Sequence, residues 1–325
     1  MSLLRLFARR AVFGLLLVLT VSSGAVLLTR LAPDNEAAEL MASGASRETI
    51  ERERARHGFD RPVLEQYIAW LSHAARLDFG QSVMFGRPVA DLVRQRAANT
   101  ALLALAALAL ATLVGIPLGV VSGSRRSGPL PALIRAVSLV CLSLPPLLTS
   151  LVLVFVAART GWFPIGGMTS IEASDAGWLP WVRDVAWHVP LPAIALAIPM
   201  AAVLERLQSQ ATGETLREPF MLAALARGVR RPRLVWRDGF KASIRPVASI
   251  YGLIVGGLLS GSFVVEIVTS WPGLGRLMFD GLRARDLYLV AGCAAAGSVF
   301  LAAGSLLSDL ALAFADPRLR GEERR

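Results

Sequence analysis

The sequence predicts an all-α integral membrane protein with six transmembrane helices, a cytoplasmic loop that carries a helix of its own, and a helical extracytoplasmic segment. Three observations lead there. Hydrophobic residues make up 54% of the 325 and charged residues only 18%, too little polar material to cover a soluble fold of this length. Aromatics are 7%, and Leu, Ala and Val carry the apolar content, which favours long helices over the aromatic-girdled strands of a membrane barrel. The basic residues sit in blocks between apolar runs, where the flanks of membrane spans carry their charge.

Six stretches lack Asp, Glu, Lys and Arg for about the 20 residues that cross a bilayer: Ala11 to Thr29, Ala97 to Ser124, Ala136 to Ala158, Val185 to Leu204, Pro246 to Val265, and Leu287 to Ser308. The first follows Arg5, Arg9 and Arg10 and contains the small residues Ser22 to Ala25, a pattern shared with secretory signal peptides. Apolar character continues through Val26, Leu27 and Leu28, so residues 1–29 are read as a cytoplasmic N-terminus with an uncleaved first helix. Gly115, Pro117 and Gly119 in the second stretch, Pro145 and Pro146 in the third, and Pro190, Pro192 and Pro199 in the fourth mark places for kinks, which membrane helices tolerate when neighbours satisfy the freed backbone groups.

Residues 30–96 form the extracytoplasmic segment. Its charged run from Ser46 to His57 offers Ser46 as a helix cap with Glu48 in the first turn, although Thr49 stands where a full capping box needs Glu or Gln. Leu64, Tyr67, Ile68 and Leu71 then recur at helical spacing, consistent with a small helical cap on the outer membrane surface. Residues 97–315 make a five-helix transmembrane core that includes the cytoplasmic loop 205–245, and residues 316–325 a cytoplasmic tail.

Orientation follows from the short loops, where Lys and Arg mark the cytoplasm. Arg125, Arg126 and Arg135 after the second stretch have no acid beside them, and the loop between the fourth and fifth holds nine basic residues against four acidic ones. The loops after the third and fifth stretches are balanced. Both termini are then cytoplasmic, and membrane flanks account for the net charge of +10 without nucleic acid.

Catalytic and metal signatures are missing. Cys141 and Cys293 lie in apolar runs, and His57, His73 and His188 have no ligand spacing. No Gly-rich loop ends in Lys followed by Ser or Thr, and the single lysine, Lys241, follows Gly239 and Phe240, so the chain is not expected to hydrolyse ATP. Ser260, Gly261 and Ser262 read as small residues that let helices approach. The ionisable residues nearest the spans, Glu205, Glu266 and Asp309, fall at span ends, where interfacial placement is expected rather than a proton relay.

The loop from Glu218 to Pro246 carries the strongest functional pattern. Phe220, Ala223 and Ala224 share one helical face, Gly228 suits the left-handed residue that ends a helix, and Pro232 suits the first turn of another. Small side chains on an exposed helix admit another protein's surface, with arginines such as Arg227 to supply charged contacts. A basic amphipathic helix lying on anionic lipid has the same pattern.

With these residues in view, the sequence resembles the inner-membrane permease subunits of binding-protein-dependent ABC importers, in the group that handles dipeptides, oligopeptides and nickel. The resemblance runs through RLAP at Arg30 to Pro33, GFDRPVLEQY at Gly58 to Tyr67, DFGQS at Asp78 to Ser82, GIPLG at Gly115 to Gly119, SLPP at Ser143 to Pro146 and PLP at Pro190 to Pro192. It continues through WPGLGR at Trp271 to Arg276, Arg285 with Asp286, and DPR at Asp316 to Arg318. It implies that the loop is the ATPase-coupling element, formed by Phe220, Ala223, Ala224, Arg227 and Gly228. Leu222 stands where many importers have an acid, and Pro219 with Phe220 where this group has an acid followed by Tyr.

The resemblance further implies a second homologous permease subunit, two ATPase subunits that hold ATP and magnesium, an extracytoplasmic solute-binding protein, surrounding membrane lipid, and no cofactor on this chain. The expected location is the bacterial inner membrane, and the expected cargo is di- or oligopeptides, with nickel or another small solute as the alternative. A stand-alone secondary transporter is a further reading, and it predicts transport without ATP.

Overall fold

The computed structural model describes residues 78–315 apart from 126, 174–176 and 285, together with scattered positions between 12 and 72. The chain from 78 onward is built of helices: α1 Val89–Ser124, α2 Pro129–Ser143, α3 Pro146–Thr160, α4 Trp178–His188, α5 Pro190–Thr215, α6 Pro219–Ala226, α7 Phe240–Ala248, α8 Tyr251–Val268, α9 Leu274–Arg283 and α10 Leu287–Ala315. Among the described residues the one extended pairing is an isolated bridge between Gln81 and Pro88. Four helical stretches are long and apolar enough to cross a membrane: Val89–Ser124, Trp178–Thr215, Tyr251–Val268 and Tyr288–Leu306. The first apolar stretch, the segment 30–77 and the tail 316–325 lie largely outside the described residues, although Gly14 is close enough to α10 that a methyl group on it would meet the Ala302 side chain at 2.9 Å.

The third stretch breaks where its two prolines mark a kink. It is two helices, α2 and α3, bent by 102° at the SLPP sequence. Pro145 and Pro146 both lack an amide hydrogen, and a proline drives the residue before it out of helical geometry; Leu144 and Pro145 are extended. Each half has 15 residues, about 22 Å of helix, so neither alone covers the roughly 30 Å hydrocarbon layer.

Glycines set the tightest contact in the bundle. Gly115, Gly119 and Gly123 repeat every fourth residue and so line one face of α1. A methyl group on Gly115 would sit 2.5 Å from the Ala201 carbonyl oxygen, one on Gly119 2.6 Å from that of Glu205, and one on Gly123 closer still to that of Ser209. The sequence marked Gly115 and Gly119 as kinks; α1 instead runs unbroken past them and past Pro117, and they serve close approach. Contacts advance in the same direction along both helices, so α1 and α5 are parallel and end on the same side. Against α5, α8 is antiparallel, with Gly257 near Met200 and Gly261 near Leu196. The loops after α1 and α5 therefore share one face of the bundle.

A buried core joins these helices through Leu103, Ala107 and Ala111 of α1, Leu196 and Leu204 of α5, and Ile254, Leu258 and Val265 of α8. A second cluster, Val89, Leu92, Val93, Leu274, Leu277 and Leu289, sits where α1, α9 and α10 meet. Residues of α2 and α3 such as Leu133, Val140, Val152 and Phe155 are exposed on the single chain.

Glu205 and Glu266, two of the acidic residues expected at the interface, are buried instead, and the side chain of Asp309 lies outside the described residues. Glu266 is fully inaccessible; it accepts the Thr100 hydroxyl at 2.7 Å and the backbone amides of Gly275 at 2.7 Å and Arg276 at 3.2 Å. The same knot is closed by Trp271 Nε1 donating to the Asn99 carbonyl and by Asn99 donating to that of Pro272. The WPGLGR sequence thus folds around one carboxylate, and Gly273 and Gly275 leave it room, since a side chain on either would overlap it. Nearby, Asp286 accepts the Ser82 hydroxyl at 2.6 Å and the Met84 and Leu289 amides, which ties DFGQS to the start of α10. His188 is also buried, its ring 2.8 Å from the Asp184 carbonyl.

Candidate functional site

The segment between α5 and α8 forms a helix, a sharp turn and a second helical run, as its sequence predicts. Pro219 occupies the first position of α6, where its missing amide hydrogen has no intrahelical partner to lose. Glu218 before it is extended and provides the carbonyl that accepts the Met221 and Leu222 amides. The departure at Pro219 and Phe220 thus leaves the helix start intact. At the other end Gly228 has φ +83°, its amide donates to Leu225 and the Val229 amide to Ala224. This pair of bonds, with a left-handed glycine between them, is a Schellman cap.

The eight residues of α6 divide by face. At about 100° per residue, Phe220, Ala223, Ala224 and Arg227 cluster on one side and Met221, Leu222 and Leu225 on the other. Phe220, Ala223 and Arg227 are exposed and Ala224 is half-buried, whereas Met221 is 1% exposed. The structure therefore brings the residues singled out in the sequence onto one accessible face, with Gly228 ending the helix beside them.

What holds this face in position lies beyond Gly228. A helical turn, Arg231–Arg233, leads into a π-helical run, Leu234–Gly239, and then into α7. Leu234 and Val235 are buried, and a methyl on Gly239 would reach Leu216 at 3.4 Å and the Met221 terminal methyl at 3.8 Å, so Met221 pins α6 onto this run. Arg231 donates to the Ser124 carbonyl at 3.1 Å, where a cation meets the negative end of α1. Deeper in, Ser122 of α1 donates to Glu205 of α5, and Gln208 donates to Thr212 and, at 2.8 Å, to Ser243 of α7. These contacts connect the loop through α7 and α5 to the tightest helix pair of the bundle.

Sequence reasoning did not find Ser122, Gln208 and Ser243, nor the pinning role of Met221. One signal was present: Glu205, Gln208 and Thr212 recur at helical spacing at the foot of an apolar helix, a place where a polar stripe needs partners.

Comparison with known proteins bears on what this arrangement does. The family described as the binding-protein-dependent transport system inner membrane component matches residues 115–321. The oligopeptide transport system permease protein AppB of Bacillus subtilis (strain 168) is 29% identical over 313 residues, 96% of this chain and 98% of its own. A protein of Brucella suis biovar 1 (strain 1330) that carries a peptide permease name is 30% identical over 322 residues, 98% of this chain and 99% of its own. A Sinorhizobium fredii (strain NBRC 101917 / NGR234) protein named for a peptide ABC transporter permease is 29% identical, covering 96% of this chain and 98% of its own.

Proposed function

Since this chain belongs to the binding-protein-dependent transport system inner membrane components, we propose that it forms one half of a peptide-conducting path and that separate ATPase subunits drive it through α6. The chain is a multi-pass inner-membrane permease subunit of an ABC importer and works with other subunits of that transporter. Peptides as cargo are supported by the names of relatives that match it end to end. The assembly proposed contains a second, related permease, two ATPase subunits carrying ATP and magnesium, and an extracytoplasmic solute-binding protein. This chain holds no cofactor of its own.

One observation carries the reading. The exposed face of α6 presents two alanines between Phe220 and Arg227, while Met221 and the chain beyond Gly228 fix its back. A small-residue surface on a rigid support suits the close approach of a protein partner. The basic loops favour a cytoplasmic location for this end of the bundle, and the parallel run of α1 and α5, which brings two of those loops to one face, supports that reading. Residues 1–29 would then supply the first span and residues 30–96 the external segment. ATP binding would draw the ATPase subunits together, and the linked motion of α6, α7 and α5 would alternate the path between outward and inward openings.

Uptake by proteoliposomes tests the proposal. With both permeases, the ATPase subunits, internal ATP and external binding protein, labelled peptide is expected to accumulate, and omission of any one component should reduce uptake to background. Uptake by this chain alone under a proton gradient, without ATP, would contradict it. Exchange of the binding protein for one of different specificity should change which solute is carried.

A further inference from the structure

The inner side of α6, opposite the face just described, borders a cleft of about 1090 Å³ at the junction of α1, α2, α5 and the loop. Among the described residues Arg125, Arg135, Arg217 and Arg231 line it against a single acid, Glu214, whose carboxylate accepts the Gln210 amide at 3.1 Å. Leu222 and Leu225, both about half exposed, form its apolar wall. A second cavity of about 310 Å³ opens between α2 and α5, bounded by Leu139, Leu142 and Ala202, with Glu205 and Arg206 also on its wall. The two share Arg135, Ser209 and Gln210. A basic cleft at one end of the bundle thus continues into a mainly apolar slot between α2 and α5.

That sequence of chemistries matches an amphiphile with an anionic head. Arginines bind a phosphate through charge-assisted, paired hydrogen bonds, and basic pockets between membrane helices suit phospholipid headgroups. A free anion would leave the slot beyond Arg135 unused. We propose that the cleft holds one anionic phospholipid of the adjacent leaflet, with its phosphate among the four arginines and an acyl chain in the slot between α2 and α5. The lipid would wedge the bent α2 against α5 and support α6 from behind. The proposal requires only that this end of the bundle lie at a membrane surface, so it stands apart from the ATPase-docking reading.

Native mass spectrometry of the assembled transporter, released from nanodiscs of mixed phosphatidylcholine and phosphatidylglycerol, tests the assignment. The native protein is expected to retain phosphatidylglycerol selectively. Exchange of Arg135→Gln together with Arg217→Gln removes two charge-assisted contacts and should lower retention by roughly tenfold or more. Leu142→Trp, which fills the slot and leaves every arginine in place, should lower it too, while Arg135→Lys with Arg217→Lys should preserve most of it. Unchanged retention in both the glutamine pair and Leu142→Trp would overturn the proposal, as would equal retention of phosphatidylcholine. Displacement of the bound lipid by millimolar inorganic phosphate would assign the cleft to a free anion and overturn it as well.

Discussion

Gly123→Val is expected to stop the transmembrane bundle from assembling, and Gly119→Val to do nearly as much. The α1–α5 contact leaves no volume at these positions. The nearest atoms to an added methyl at Gly123 are the carbonyl oxygen, carbonyl carbon and Cα of Ser209, which are backbone and have no rotamer by which to move aside. Either the helices separate, which opens the Ser122–Glu205 contact and strips packing from the core along α1, or the valine is strained. Overpacking of a well-packed interior costs about 1–3 kcal/mol and sometimes more, and a rigid backbone contact on a four-residue glycine repeat belongs at the upper end. Gly297→Ala supplies the control, because nothing lies within 4 Å of a methyl there and alanine is the better helix former. The thermal midpoint of detergent-solubilised protein should fall by many degrees for Gly123→Val, if folded protein is recovered at all, and hold or rise slightly for Gly297→Ala. Equal midpoints would refute the account of this contact.

The second large effect concerns activity with the fold preserved. Ala223→Arg is expected to abolish ATP-driven uptake, because Ala223 is exposed at the centre of the α6 face and a long cationic side chain there would hold off a packed partner. At about 1–3 kcal/mol for the added bulk, affinity for the ATPase subunit should drop roughly 5- to 150-fold. Ala224 is half-buried, so Ala224→Arg should also block docking but disturb α6 itself. Gly228→Val works by another route. No atom lies within 4 Å of its added methyl, so the cost is the left-handed backbone, roughly 1–2 kcal/mol for a residue with a Cβ. Its effect would be to loosen the cap and redirect α6. Gly228→Asn, which tolerates that conformation, should retain most of the uptake. Normal ATPase co-purification and normal uptake in both Ala223→Arg and Gly228→Val would exclude α6 as the transmitting element.

Much of this architecture could be read from the residue pattern, and the limits are physical ones. Apolar runs and proline punctuation locate the spans, and left-handed glycine chemistry places the turn at Gly228, because these are local properties. How far a chain bends at Pro145 and Pro146 depends on what receives the two halves: Thr149 donates to the Ala195 carbonyl of α5, and Pro146 lies against Gly261 of α8. Neither partner is near in sequence. Glu205 and Glu266 stand at span ends and so read as interfacial. Position along a helix gives depth in the membrane but not which way the side chain points, and the partner that receives Glu266, Thr100, is 166 residues away. The π-helical run under α6 carries no periodic signal, since it is fixed by Leu234, Val235 and Gly239 packing inward.

Cross-linking decides the central claim most directly, because it asks which side of α6 meets the ATPase subunit. With Cys141 and Cys293 changed to alanine, Ala223→Cys and Leu225→Cys would each be treated with a short photoactivatable thiol reagent in the assembled transporter. Cross-linking to the ATPase subunit from position 223, strengthened by ATP binding and weak from position 225, is the predicted result; efficient cross-linking from 225 with none from 223 would contradict the account.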